Sequence, residues 1–472
     1  MPRGSGWVKA KVAQNGAVAP VQAPFRTASL QGRKWCVPRW LRLGSAPVAA
    51  MTTWGGGAEF AARVCCALAV AGCAHGGSRA AESETAPNPL RVPVDGYDFR
   101  ANPELLQRIR SDPHGYFRFI NRTFSQAVCD RFDDLVRVLP SVNLHGDAHL
   151  EQYAVTRDSR GLTDFDDSTT GPAVIDLMRL GVSIALAADL EGWGAYSDRF
   201  FDRFLDGYRA SLEDPEFEAP VPTLVASLRK NFEEDPRDFF DWVDSVISPV
   251  DPEKMAELQN ALEPYIARMV ALDDNEANHP EYFRIEKAGL LNLGIGSALD
   301  EKYLLQVRGP TDALSDDVVL ELKEVRDLRG VTCLEGTQKI DPFRILVGQS
   351  RIAYTPYRFI GYIRHQGRTF WIHSWVMNYR ELDLPEMVKR PELLEEILFD
   401  IGVQLGRGHP YQIAAPLDAE LRRELRSFVD GNHDRLHHEI NDMTAQLRKA
   451  WTAFVEQSRQ LAESMREEEM NR

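Results

Sequence analysis

Long apolar runs are missing from this 472-residue chain. No stretch reaches the roughly 18–20 residues that a spanning helix needs. Cysteine is sparse, six in all, which excludes a disulfide-dense scaffold. No internal repeat is visible. The first fifty residues lack Asp and Glu entirely and hold eight Lys or Arg. Residues 51–73 hold one of each sign, so residues 74–472 carry 46 basic and 69 acidic groups, a balance of −23. Such a body repels a phosphate backbone, and no nucleic-acid partner is expected. What is present is ordinary globular composition, 44% apolar and 26% charged, with length for two or three lobes.

Residues 1–50 show no sustained helical or strand period. After Met51, Arg63 precedes the apolar run Val64–Gly72, which ends at Cys73. A basic residue, about 7–15 apolar residues and small residues before a cut describe a secretory signal. The end of the run, Leu68-Ala69-Val70-Ala71-Gly72-Cys73, resembles a bacterial lipoprotein box, which implies that Cys73 receives lipid. Ala74–Pro89 is small and polar, as a tether is. The expectation is a start at Met51, with residues 1–50 an over-extended reading frame, 51–73 a signal and 74–89 a tether. The protein would then be lipid-anchored in the bacterial cell envelope, attached to the membrane through its N-terminal lipid only. If the signal is not used, the location is cytoplasmic. Cys129 and Cys333 are left in the body, and the sequence leaves open whether they pair.

Residues 90–135 read as helices. Leu139–Leu144 reads as a short buried strand, and Tyr153–Val155 with Leu162–Phe165 as a hairpin. Leu177, Leu180, Ile184 and Ala187 recur at helical spacing over Asp176–Leu190. Residues 198–280 are expected to be mostly helical. Alternating patterns predict strands across Phe283–Val307 and Val318–Val325, and a hairpin from Tyr357–Ile363 to Thr369–Val376. From Pro391 the chain is expected to be helical, with Ile440, Met443, Leu447, Trp451, Phe454 and Leu461 on one face of a long helix. The expected organisation is a helical part with the chemistry-bearing loops (90–282), an antiparallel sheet of about five strands (283–380) and closing helices (381–472).

The chemistry concentrates in His145-Gly146-Asp147-Ala148-His149-Leu150-Glu151-Gln152, then Asp164-Phe165-Asp166-Asp167, then Asp176-Leu177-Met178-Arg179. This pattern places carboxylates on two neighbouring loops at strand ends. Phosphoryl transfer uses such a set: one Asp takes the proton of the attacking hydroxyl, and another holds Mg2+. The segment resembles the catalytic region of aminoglycoside phosphotransferases and choline kinases, with their His-Gly-Asp-x-His-x-x-Asn and Asp-Phe loops. More closely, residues from about 90 to 412 resemble the bacterial domain-of-unknown-function family 2252, with its His-Gly-Asp-Ala-His-Leu-Glu-Asn and Asp-Phe-Asp-Glu motifs. The resemblance implies Asp147 as catalytic base and His145 as the catalytic-loop histidine. It implies Asp164 as metal ligand, with Gln152 and Asp166 as further metal candidates. Asp176 would pin the loop backbone, with His149 as further support. Gln152 stands where the family pattern has Asn, and sets its carbonyl one methylene further out.

A phosphate lid and a lysine lie downstream. Gly294-Ile295-Gly296-Ser297 separates two strand patterns, where backbone N–H groups can approach phosphate oxygens; a plain glycine-rich turn is the bland alternative. Lys323, within Val318–Val325, resembles the phosphate-binding lysine of kinases, with Glu335 the nearest acidic candidate to pair with it. Gly294, Gly296, Ser297 and Lys323 are thus the expected nucleotide-binding residues, and ATP or another nucleotide with Mg2+ the expected cofactors. Kinases run Gly loop, Lys, helix, catalytic loop, metal Asp. Here the catalytic loop comes first, and Leu405-Gly406-Arg407-Gly408-His409, similar to the helix that leads into it, comes last. The expected fold is α+β: a protein-kinase-like two-lobed fold, circularly permuted, with a small antiparallel sheet lobe and a larger helical lobe.

Three functions fit these residues. The first is a kinase-like phosphotransferase acting on an unknown small-molecule or protein hydroxyl acceptor. The second is a catalytically inactive kinase-like binding module in the envelope. The third is a metal-dependent hydrolase using His145, Asp147, His149, Asp164 and Asp166. His433, His437 and His438 are expected on a solvated helical face, and Trp371 and Trp375 in packing. Acceptor and oligomeric state are left open.

Overall fold

Helices begin where the sequence supplies a cap. Asn102-Pro103 and Asp112-Pro113 each set a side-chain acceptor before a proline, whose missing N–H is harmless at the first helical position. Asn102 accepts from the Leu105 amide and Asp112 from the Gly115 amide. The structure, a computed structural model, describes residues 87–190, 192–233, 235–272, 281–291, 300–336, 339–381 and 390–470. Residues 1–86, with the lipoprotein-like box and Cys73, lie outside the described residues.

Helices α1 (Pro103–Ser111), α2 (Pro113–Phe119), α3 (Asn121–Arg131) and α4 (Asp133–Val136) lead to strand β1 (Ser141–Leu144). Three short strands follow, β2 (Tyr153–Val155), β3 (Arg160–Leu162) and β4 (Thr169–Pro172), then helices α5 (Val174–Leu190) and α6 (Ser197–Glu213). Helices α7 (Thr223–Arg229) and α8 (Pro236–Val246) precede strand β5 (Ile247–Pro249), and α9 (Pro252–Leu272) follows it. Next come β6 (Ile285–Leu291), β7 (Lys302–Val307), β8 (Val318–Glu324), α10 (Phe343–Ile352), β9 (Gly361–His365), β10 (Arg368–Trp375) and β11 (Arg380–Glu381). Helices α11 (Pro391–Gly408), α12 (Leu417–Gly431), α13 (His433–Gln457) and α14 (Arg459–Met470) close the chain. With 56% helix, 15% strand and small antiparallel sheets, the protein is α+β.

The largest sheet has six strands in the order β5-β6-β7-β8-β10-β9, every described pair antiparallel. It is one strand wider than expected, because β5 comes from the stretch read as helical. Helix α10 was also not anticipated; it falls between two strand patterns. The helix expected to run through Leu461 breaks at Ser458, so Leu461 belongs to α14. The β9–β10 turn is Gln366-Gly367, both with positive φ (49° and 80°), as a two-residue hairpin turn requires.

Alternation along β8 decides what the sheet presents. Leu320 and Leu322 enter an apolar cluster with Leu258, Leu262 and Tyr265 of α9. Val319, Glu321 and Lys323 point to the other face, where Val319 packs with Phe240 and Val243 of α8. A larger apolar cluster unites most of the helices. Within it α6 and α11 touch backbone to backbone: a Cβ on Gly207 would lie 2.1 Å from Phe399 O, and one on Gly402 2.1 Å from Phe204 O. Cys129 in α3 forms a disulfide with Cys333, 204 residues away. Among the described residues no helix is long and apolar enough to cross a membrane.

Candidate active site

The loop after β1 is held by one carboxylate at the start of α5. Asp176 accepts from the backbone amides of His145 (2.7 Å) and Gly146 (2.8 Å), and His409 Nε2 at the end of α11 lies 3.2 Å from it. Gly146 has φ +81°, and a Cβ there would sit 2.0 Å from Asp167 O. Glycine therefore lets this loop lie directly on the 164–167 loop. His145 ties the same two loops, its Nε2 2.9 Å from Thr163 O, and burial lowers its pKa so that the ring is neutral.

Asp147 is buried and faces Arg179, which lies one turn along α5 from Asp176. Arg179 Nε donates to Asp147 Oδ1 at 2.8 Å and Nη2 lies 2.7 Å from the same oxygen. The guanidinium also stacks on Phe117, 3.6 Å from the ring centre. Burial pushes the Asp147 carboxyl up to about 7, against the downward pull of Arg179. Gln152 Nε2 faces Asp147 Oδ2 at 3.4 Å, while Gln152 Oε1 is buried with no partner among the described residues. His149 Nε2 is likewise buried with no hydrogen-bond partner among the described residues, 3.9 Å from Asp147 Oδ2; burial and then Arg118 and Arg179 hold this imidazole neutral.

Asp164 has the left-handed conformation, φ +60° and ψ 67°, uncommon for a residue with a side chain and frequent at functional sites. Its carboxylate meets Lys323, Nζ to Oδ1 2.6 Å, and Lys323 also lies 2.7 Å from Asp166 Oδ2. Burial opposes ionisation of Asp164, but Lys323 and Arg326 outweigh it and hold the group well below the usual carboxylate range. Burial and then Asp164 push Asp166 up to about 6. Trp371 Nε1 donates to Asp166 Oδ1 at 2.8 Å, so this tryptophan is more than packing. Trp375 likewise donates to Glu321 Oε2. Arg326 pairs with Asp167 and with Asp300, and Arg344 of α10 donates to the Asp166 and Ser168 carbonyls.

The structure thus brings together Asp147, His145, His149, Gln152 and Asp176 in one loop system, and Asp164 and Asp166 with Lys323 beside it. Arg326 pairs with Asp167 and lies 3.7 Å from Asp166 Oδ2, so this guanidinium sits on the 164–167 loop beside Lys323. Gly294, Gly296 and Ser297 lie outside the described residues; the flanking strands β6 and β7 pair, and Lys302 stands opposite Lys323. Glu335 does not meet Lys323: it is exposed and bonds through its backbone with Thr170. Sequence reasoning missed Arg179, Arg326 and Arg344. A signal existed for Arg179, a lone cation in an apolar helix three residues after Asp176 and so on its face.

A magnesium ion fits the donors present. Magnesium is held by one or two carboxylates, with phosphate and water completing its shell. Asp164 keeps 35% of its side chain exposed, and Gln152 Oε1 is an acceptor with no donor among the described residues. An all-protein cage does not form here: among the described residues, no three His, Cys, Asp or Glu ligand atoms converge at this site. His145 Nε2 is engaged by Thr163 O.

A model of a bacterial family, described as an uncharacterized protein conserved in bacteria (DUF2252), matches residues 100–221 and 223–457. No curated protein and no solved structure matches the chain.

Proposed function

The chain belongs to DUF2252, a family of uncharacterized proteins conserved in bacteria, and for it we propose, from the geometry of the two loops and Lys323, a kinase-like phosphotransferase. Its donor is ATP with Mg2+, and its acceptor is a hydroxyl group on a small molecule or protein. One observation carries the reading: Lys323 Nζ lies 2.6 Å from Asp164 Oδ1. A phosphate-holding lysine and a metal-holding aspartate must reach the same phosphate chain, so they must be neighbours. Further support comes from strand order. Lys323 lies on the third strand counted from β6, as the lysine of protein kinases lies on a third strand, and a helix follows it. That helix, α10, carries no carboxylate, and Asp164 and Asp166 pair with the lysine instead.

A circularly permuted two-lobed arrangement is supported by Asn143. This residue of β1 bonds to Gly408 O (2.9 Å) and His409 O (3.0 Å) at the end of α11. In the permuted reading α11 stands for the helix that leads into the catalytic loop of a kinase, and it meets the strand before that loop from the other end of the chain. In this reading Asp147 takes the proton of the acceptor hydroxyl, and Lys323 holds the donor phosphates. Mg2+ held by Asp164 and Gln152 would neutralise phosphate charge. The test is thermal stabilisation by ATP with Mg2+ and with EDTA, in the wild type and Asp164→Asn. Metal-dependent stabilisation confined to the wild type is expected; equal stabilisation of both removes Asp164 from this role.

A kinase-like binding module without transfer activity is the second reading, and two observations favour it. Arg179 occupies one oxygen of Asp147, which weakens it as a base. The Cys129–Cys333 disulfide supports an exported protein, anchored at Cys73 in the envelope, where ATP is scarce. Binding of MgATP with no phosphate transferred to any hydroxyl compound would select this reading.

A further inference from the structure

Where α13 meets α6, two histidines and an aspartate converge. His433 and His437 are four residues apart on α13 and so share a face. Asp202 faces them from α6. His433 Nε2 lies 2.7 Å and His437 Nε2 2.9 Å from the same oxygen, Asp202 Oδ1. The two rings are 4.6 Å apart between centroids. Each remaining ring nitrogen also faces a carboxylate: His433 Nδ1 is 3.2 Å from Asp434 Oδ1, and His437 Nδ1 is 3.3 Å from Asp198 Oδ1. These residues were expected on a solvated face; instead they are mutually engaged, and only His438 remains exposed.

All four imidazole nitrogens therefore point at carboxylate oxygens. Without a cation, every contact is favourable only if both rings are doubly protonated, which sets two imidazolium charges side by side. If a ring is neutral, one of its lone pairs faces a carboxylate lone pair. A divalent cation between the two Nε2 atoms and Asp202 Oδ1 removes the conflict. Both Nδ1–H groups then donate to Asp434 and Asp198, the outer-shell arrangement that orients metal-bound histidines. Phe201 packs edge-on against the His437 ring, 5.2 Å between centroids, and limits its rotation. Arg209 disfavours protonation of His433, while three carboxylates, Asp202, Asp434 and Asp198, crowd the two rings. Two imidazoles and one carboxylate suit a borderline metal such as Zn2+, whereas Mg2+ and Ca2+ prefer oxygen donors alone.

We propose that Asp202, His433 and His437 form a zinc-class metal site that clamps α13 to α6, with water in the fourth position. Side-chain exposures of 46%, 36% and 14% leave that position open to solvent. The clamp joins helices 231 residues apart, and it is independent of the phosphotransferase reading.

The experiment uses the full chain without a polyhistidine tag, stripped with EDTA and titrated with Zn2+ by calorimetry and thermal shift, and with Co2+ by visible absorption. One Zn2+ per chain with a raised Tm is expected, and Co2+ should show the intense absorption of a four-coordinate site. Asp202→Asn and His437→Ala should weaken Zn2+ about a hundredfold or more, while His438→Ala should leave it unchanged. A wild type with no Zn2+-dependent shift and a weak, octahedral-type Co2+ spectrum overturns the site. So does equal Zn2+ affinity in wild type, Asp202→Asn and His437→Ala. If a variant fails to fold, the wild-type Co2+ spectrum decides alone.

Discussion

The Lys323 ammonium lies 2.6 Å from Asp164 Oδ1 across 159 residues of sequence. It also touches Asp166, whose side chain is only 4% exposed, so this lysine is what makes a buried carboxylate tolerable. Lys323→Met strips a partly desolvated pair of its cation. Breaking a buried pair costs about 3–5 kcal/mol. A large fall in the urea midpoint is expected, together with loss of MgATP stabilisation; an unchanged midpoint would show that the pair is solvent-screened.

Asp147 and Arg179 predict a pH dependence. A general base works only when ionised, and burial raises Asp147 to about 7. Transfer activity should therefore climb as pH increases through about 7 and level off above it. Arg179 pulls this value down, so Arg179→Met should move the rising limb to higher pH. A limb that stays put after the substitution means that another group governs it.

Glu321 predicts an acid-side loss of stability. Burial acts to raise its pKa, but Lys323, His373 and Trp375 outweigh it and bring it from 4.5 down to about 2. A carboxyl depressed by folding stabilises the protein above its unfolded pKa and loses that contribution as pH falls through the folded value. The window is thus from about 4.5 down to about 2, and the size about 3 kcal/mol. Between pH 5 and pH 3, Glu321→Gln should lose less stability than the wild type. Parallel pH curves would rule out this contribution.

The Cys129–Cys333 bridge links α3 to the segment that follows Arg326. Closing so long a loop restrains the unfolded chain, and its loss costs about 2–5 kcal/mol. Reduction, or the Cys129→Ser/Cys333→Ser pair, should lower Tm by several degrees and, through Arg326, weaken MgATP stabilisation. Free thiols at both positions in protein taken from native cells would contradict an exported location.

Much of the fold was legible because it rests on local patterns. β2, the β6–β7–β8 run and the α5 helix follow from alternation or helical spacing within single segments. β5 was not legible: three residues between two helices carry no period, and they become a strand only because β6 offers an unpaired edge. α10 was missed for a related reason, since its Gly348 face lies against Ser168 and the end of β1 at Leu144, both distant in sequence. Trp371 and Trp375 read as apolar bulk, and nothing local says that their N–H groups end on Asp166 and Glu321.

By itself the sequence determined the two acidic loops and the lysine-bearing strand, while the residue that pins the first loop, Asp176, was implied by the family resemblance. Spacing of a few residues sets turn geometry and donor type, and that is local chemistry. Only the tertiary structure decided which charges meet: Lys323 with Asp164 rather than Glu335, Arg179 on Asp147, Arg326 on Asp167 and His433 with Asp202. Those partners are brought together by the burial of apolar helix and sheet faces, and no short-range rule of spacing can state which distant carboxylate a buried cation will find.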